Sequence, residues 1–248
     1  MRNIKITVEY DGTRYFGWQV QEGSRKTVQS VLEEALRKIL SEKVKVIGSG
    51  RTDAGVHALA QAANFSTNSK IEIGRIAHAL NALLPDDISV TKAAEAAPDF
   101  HAVRCAKSKV YRYTILNRAH RCALLEGKAH FCHFPLDVSR MRSQARCLVG
   151  KHDFKAFCAS SASEKNTVRT IKRLAIKRSR KDGLPLITVE IEADGFLYNM
   201  VRNIVGTLID IGRGKLRKSL KSILDSKDRK AAGARAPACG LCLIRVKY

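Results

Sequence analysis

Asp53 stands in the glycine-punctuated run Gly48-Ser49-Gly50-Arg51-Thr52-Asp53-Ala54-Gly55, with an arginine two residues before the carboxylate. Turns of this kind between strands present side chains from a rigid scaffold. Phosphate cradling is disfavoured: the third glycine of a dinucleotide fingerprint is missing, and so is the Lys-Ser/Thr ending of a P-loop. Two readings then stand open. Asp53 is a reactive carboxylate, or it caps the turn while Arg51 sits in solvent. A second set invites metal chemistry, because His130-Phe-Cys-His133 and Cys239-Gly-Leu-Cys242 together offer four zinc ligands. The cysteine pair lies in an apolar strand pattern, where alternation points neighbours to opposite faces, so packing is the favoured role.

The elements that must hold Asp53 are legible from periodicity. Ile4, Ile6, Val8 and Tyr10 line one face of a strand. Thr27 reads as the N-cap of a helix whose Val28, Val31, Leu32, Ala35, Leu36, Ile39 and Leu40 form one apolar stripe. Lys43 to Ile47 and His57 to Phe65 read as strands on either side of the Asp53 turn. A helix over 73–84 ends at Pro85, and Ile88 opens a further strand. Strand, helix, strand, strand, helix, strand is the order of a split βαβ, ferredoxin-like unit. The second half repeats the style. Tyr111, Tyr113 and Ile115 share a strand face, 138–149 reads as a helix, and Ile187, Val189 and Ile191 alternate with polar residues. A helix over 201–211 and a last strand over 241–248 follow. The domain boundary is expected near residue 103, giving domains 1–103 and 104–248.

Composition bounds the partner. The chain of 248 residues carries 45 Lys+Arg against 23 Asp+Glu, a formal net charge of +22. That excess calls for an extended anionic partner, and nucleic acid is favoured over a lipid surface because no long apolar run or aromatic-faced basic helix is present. Much of the positive charge falls in 165–181 and 213–230, which read as RNA-facing segments. Seven scattered cysteines look like reduced, small apolar residues. The N-terminus enters a strand directly, with no signal-peptide pattern, so a cytoplasmic location is expected.

The segment Gly50-Arg-Thr-Asp-Ala-Gly-Val-His57 resembles the signature of the tRNA pseudouridine synthase A family. Other motifs of that family follow in its order. They are Tyr10-Asp-Gly-Thr13, Gly17-Trp-Gln-Val-Gln21, Thr27-Val-Gln29, Asn81-Ala-Leu-Leu-Pro-Asp-Asp-Ile88, Phe100-His-Ala102, Tyr111-Arg-Tyr113, Gly150-Lys-His-Asp-Phe154 and Phe196-Leu-Tyr-Asn-Met-Val-Arg-Asn-Ile-Val-Gly206. The chain departs from the pattern at Val103, where the family has Arg and this chain has its arginine at 104. It departs again at Pro237-Ala238, in place of a double proline.

The resemblance implies an α+β fold of two ferredoxin-like domains, joined into one extended mixed β-sheet with helices on one face and an active-site cleft between them. It implies isomerisation of uridine to pseudouridine at positions 38, 39 and 40 of the tRNA anticodon arm, with Asp53 as nucleophile. Tyr111 would support the flipped base, and Arg51 and Arg202 would keep Asp53 ionised or contact the nucleotide. Arg202 draws extra interest because it sits on a largely apolar helix, where an unpaired charge is costly. His57 is given a structural duty, Trp18 a place in the core, and His101 no assignment. The reaction has no net redox change or hydrolysis, so no cofactor and no metal is required. A homodimer binding tRNA across both subunits is implied. The rival is a catalytically silent tRNA-binding or RNA-chaperone protein on the same scaffold.

Overall fold

The computed structural model describes residues 1–21, 23, 25–159 and 164–248. The chain is mixed α and β, and it forms two compact units: residues 1–107 with 242–248, and residues 108–241.

In the first unit, β1 (Arg2–Tyr10) lies antiparallel between β3 (His57–Thr67) and β4 (Ile88–Ala96). The alternating face read from the sequence is the buried one: Ile4, Ile6 and Val8 are wholly inaccessible. Helix α1 (Val28–Leu40) starts where expected. The Thr27 hydroxyl accepts from the Ser30 amide, and the Ser30 hydroxyl accepts in turn from the Thr27 amide, so two otherwise orphaned donors are satisfied. Val28, Leu32, Ala35, Leu36 and Leu40 are buried from this helix, at about 1.5–3 kcal/mol for each large aliphatic side chain. Helix α2 (Ile73–Asn81) ends three residues before the expected limit, and the chain turns through Leu84 into Pro85. Asn81 accounts for the stop: its amide group brackets Val90, accepting from the backbone N–H and donating to the carbonyl of β4.

The strand expected over 43–47 shrinks to β2 (Ile47–Gly48), paired with Ala63 and Asn64 of β3. Upstream, the Val46 amide is taken by the Glu33 carboxylate of α1, so it does not join a ladder. The final strand, β10 (Leu241–Lys247), runs parallel to the start of β3, with Cys242 beside His57 and Leu243 beside Ala58. The closing strand, which the sequence reading places in the second domain, thus pairs within the first unit.

The second unit is built on β5 (Ser108–Asn117), β9 (Leu184–Ala193), β8 (Val168–Lys181) and β7 (Gly150–Asp153), antiparallel in that order, with β6 (His130–Cys132) parallel to β5. The basic run 165–181 largely becomes β8, a long strand whose last five residues are exposed. Helix α3 (Val138–Ala145) closes in a 3₁₀ turn over Arg146–Leu148, in place of one helix to 149. Helix α4 (Met200–Gly212) is buried along nearly its whole length. Gly206 permits that, since a β-carbon there would lie 1.7 Å from the Ala234 carbonyl oxygen. Helix α5 (Leu220–Ser226) carries a Ser219 cap.

Candidate active site

Asp53 sits partly exposed on the turn before β3, in the first unit. That turn is gripped from three directions. First, Gly17 presses on it. The Trp18 amide donates to the Thr52 carbonyl at 3.1 Å and the Gly55 amide to the Tyr15 carbonyl at 3.3 Å. Gly17 lies between them at φ +86°, and a β-carbon at this position would come 2.5 Å from the Thr52 oxygen and 3.2 Å from the Asp53 carbonyl carbon. Only glycine allows so close an approach in that conformation.

Second, the side chains of Tyr10 and Thr52 share a hydrogen bond of 2.8 Å in the interior. Burial raises the Tyr10 phenol well above its ordinary range, so it stays neutral. Third, the wholly buried Gln61 of β3 accepts from the Ser49 hydroxyl at 2.6 Å and donates to the Gly50 carbonyl at 2.7 Å. Residues 49, 50 and 52 are therefore all fixed to the unit's interior, while Arg51 between them is exposed. A backbone hydrogen bond from Val56 to Asp53, 3.1 Å, completes the turn.

His57 is 7 % exposed, and its Nδ1 lies 2.9 Å from Asp11 Oδ1 and 3.1 Å from the Gly12 amide. The ring ties the start of β3 to the turn after β1, a positional duty. Trp18 is core, 2 % exposed, with its indole filling the space left by the missing side chain of Gly48. His101 holds its own loop, Nδ1 accepting from the Val103 amide at 3.2 Å. Val103 and Arg104 are both exposed beside it.

Tyr111 and Arg202 belong to the second unit. Tyr111 is 6 % exposed on β5, and its ring meets Phe196 edge to face at 5.1 Å. Arg202, in the first turn of α4, donates from Nε to the Ala236 carbonyl at 2.9 Å and from a terminal nitrogen to Asn199 Oδ1 at 3.1 Å. These two neutral oxygens are among the groups that hold its guanidinium on the apolar helix. The neighbouring Tyr113 is wholly buried and donates to the Pro237 carbonyl at 2.8 Å.

All seven cysteines are free. Among the described residues no three His, Cys, Asp or Glu side chains gather as metal ligands, so His130, His133, Cys239 and Cys242 do not form the cluster their spacing allows. Cys239 instead points its thiol at the Ala129 carbonyl. No helix among the described residues is long and apolar enough to cross a membrane.

Sequence reasoning missed Gln61 and Tyr10 as supports of the turn. A signal existed: Gln61 and Asn64 are polar side chains inside the apolar run Ala58 to Phe65, and both are buried with hydrogen bonds.

Such a mixed α/β scaffold, with one carboxylate fixed on a braced turn and a strongly basic composition, is suited to an enzyme working on an anionic polymer. The comparisons give the family. A family model described as tRNA pseudouridine synthase matches residues 6–103 and 144–248, and this chain belongs to that family. The tRNA pseudouridine synthase A of Thermoanaerobacter sp. (strain X514) is 48 % identical over 249 residues, covering all of both chains. That of Acetivibrio thermocellus is also 48 % identical over 249 residues, again covering all of both. Among solved structures, a chain of a Cbf5-Nop10-Gar1 complex matches 97 % of this chain and 48 % of its own length. Its TM-score of 0.39 and identity of 11 % are too low to carry any argument.

Proposed function

We propose that this chain isomerises uridine to pseudouridine at positions 38, 39 and 40 of the anticodon arm of tRNA, with Asp53 as the nucleophile. The observation that carries the reading is the bracing of the Asp53 turn at Thr52, Gly50 and Ser49, in a chain of this family. A carboxylate carried on so fixed a backbone needs little reorganisation to meet a developing charge.

The reaction breaks the bond from C1′ to N1, turns the uracil, joins C1′ to C5 and releases the C5 proton while N1 gains one. A carboxylate is suited to stabilising or trapping an oxocarbenium-like C1′, as in retaining glycosidases. Atoms balance without an external reagent. On this reading Tyr111 packs against the base once it has left its stack, and Arg51 and Arg202 hold the carboxylate ionised or contact the nucleotide. The reading includes two ferredoxin-like domains with joined sheets and the uridine held in the cleft between them. It includes a homodimer with each tRNA lying across both subunits, in the cytoplasm.

The test is tritium release from an anticodon arm labelled at uridine C5. Wild type is expected to release tritium, and Asp53→Asn to bind tRNA with unchanged affinity and release none. Full activity in Asp53→Asn refutes the mechanism. Tight tRNA binding without release by wild type would instead point to a silent RNA-binding protein.

A further inference from the structure

Of residues 15 to 18 only Phe16 is exposed, and it is an aromatic one. Tyr15 is 3 % exposed and Trp18 is 2 % exposed, but the aromatic ring between them, Phe16, is 48 % exposed. Its neighbours explain why it cannot turn inward. The Tyr15 phenol donates to Asp87 Oδ1, and Gly17 is wedged against Thr52 and Asp53, so the backbone on both sides is committed. The Phe16 backbone is tied as well, its amide donating to the Lys26 carbonyl at 3.0 Å and its carbonyl accepting from the Gln21 side chain at 2.9 Å. The Arg25 guanidinium lies 5.3 Å from the Phe16 ring centroid, and Lys26 Nζ lies 5.3 Å from that of Tyr15.

We infer that Phe16, backed by Arg25, is a stacking platform for an unpaired RNA base next to the uridine held at Asp53. The inference rests on the function proposed above and names a contact that the reading leaves open. Position supplies the first support. Phe16 adjoins Gly17, which abuts the Asp53 backbone, and consecutive α-carbons lie only about 3.8 Å apart. A nucleotide flanking the target thus falls within reach of the ring.

Chemistry supplies the second support. Withdrawing a uridine from its stack leaves a neighbouring base with one bare face, and an aromatic ring replaces the lost partner for any base identity. The arginine adds attraction to both the ring and the passing phosphate. Because the backbone is already fixed, little ordering cost falls due on binding. The half-exposed ring beside Arg25 is thereby given a partner.

The test uses the full chain and the C5-tritiated anticodon arm. Phe16→Leu keeps the apolar volume and removes the flat face, and it is expected to raise KM for RNA about five- to hundredfold, the range of one stacked base. Phe16→Tyr restores the wild-type value, and Arg25→Gln gives a smaller rise. In parallel, arms with single abasic sites within two nucleotides of the target are given to the wild-type protein, which needs no variant to fold. One abasic position is expected to raise KM by the factor seen for Phe16→Leu, with no further rise when the two are combined. Unchanged KM for Phe16→Leu, or additive losses at every abasic position, overturns the platform. Failure of wild type to release tritium from the intact arm would overturn the reading of Asp53 instead.

Discussion

The side-chain amide of Gln61 donates to the Gly50 carbonyl at 2.7 Å, from a position with no solvent exposure, and so fixes the residue that begins the Gly50-to-His57 signature. The same side chain accepts from Ser49. Gln61→Met retains the volume and removes one partner each from the buried Ser49 hydroxyl and the part-buried Gly50 carbonyl, costing about 1–3 kcal/mol of stability. If the bracing serves catalysis, kcat falls roughly 10- to 100-fold with little change in KM for tRNA, as for a displaced reactive group. Steady-state kinetics at a temperature where the variant is fully folded checks this. A proportional rise in KM with kcat unchanged would assign Gln61 to RNA binding.

Gly17→Ala forces a β-carbon against the Thr52 oxygen in a conformation at φ +86°. The strain costs about 1–3 kcal/mol, or pushes the turn and Asp53 outward. Urea unfolding midpoints measure the first, and tritium release per folded molecule measures the second. Both are expected to drop. Gly23→Ala, in a similar backbone conformation with open space around it, is the control: it carries the strain without the collision.

Burial lowers the His130 pKa below its ordinary 6.5. The unfolded chain therefore binds the proton first as pH falls, so the stability contributed by neutral His130 is fully present above about pH 6.5 and is lost as pH falls through the depressed folded value. Urea midpoints between pH 7.5 and 5 are expected to show a decline that is shallower in His130→Gln. Equal slopes in the two proteins would refute the assignment.

The formal charge of +22 sets the salt response. With about six to ten phosphate contacts, tRNA affinity is expected to fall about a thousandfold or more between roughly 50 and 200 mM salt. Filter binding across that range, plotted logarithmically, gives the number of contacts. A flat line would show that the charge does not face RNA.

The sequence by itself determined the elements whose signals are local. The Thr27 cap and the apolar stripe of α1 were readable because a helix repeats every few residues. The buried face of β1 was readable because strand side chains alternate. Motif order likewise named Asp53, Arg51, Tyr111 and Arg202, although composition and spacing alone favoured a turn cap over a reactive group at Asp53. Tertiary structure decided what depends on partners distant in the chain. The Glu33 carboxylate claims the Val46 amide and shortens β2, Asn81 takes up Val90 and ends α2, and the closing strand returns beside His57. Gln61 became a brace only when β3 lay beside the Asp53 turn, since hydrogen bonds across eleven residues leave no periodic trace. Close contacts between remote segments carry no spacing signal, and they are what hold in place the turn that carries this carboxylate.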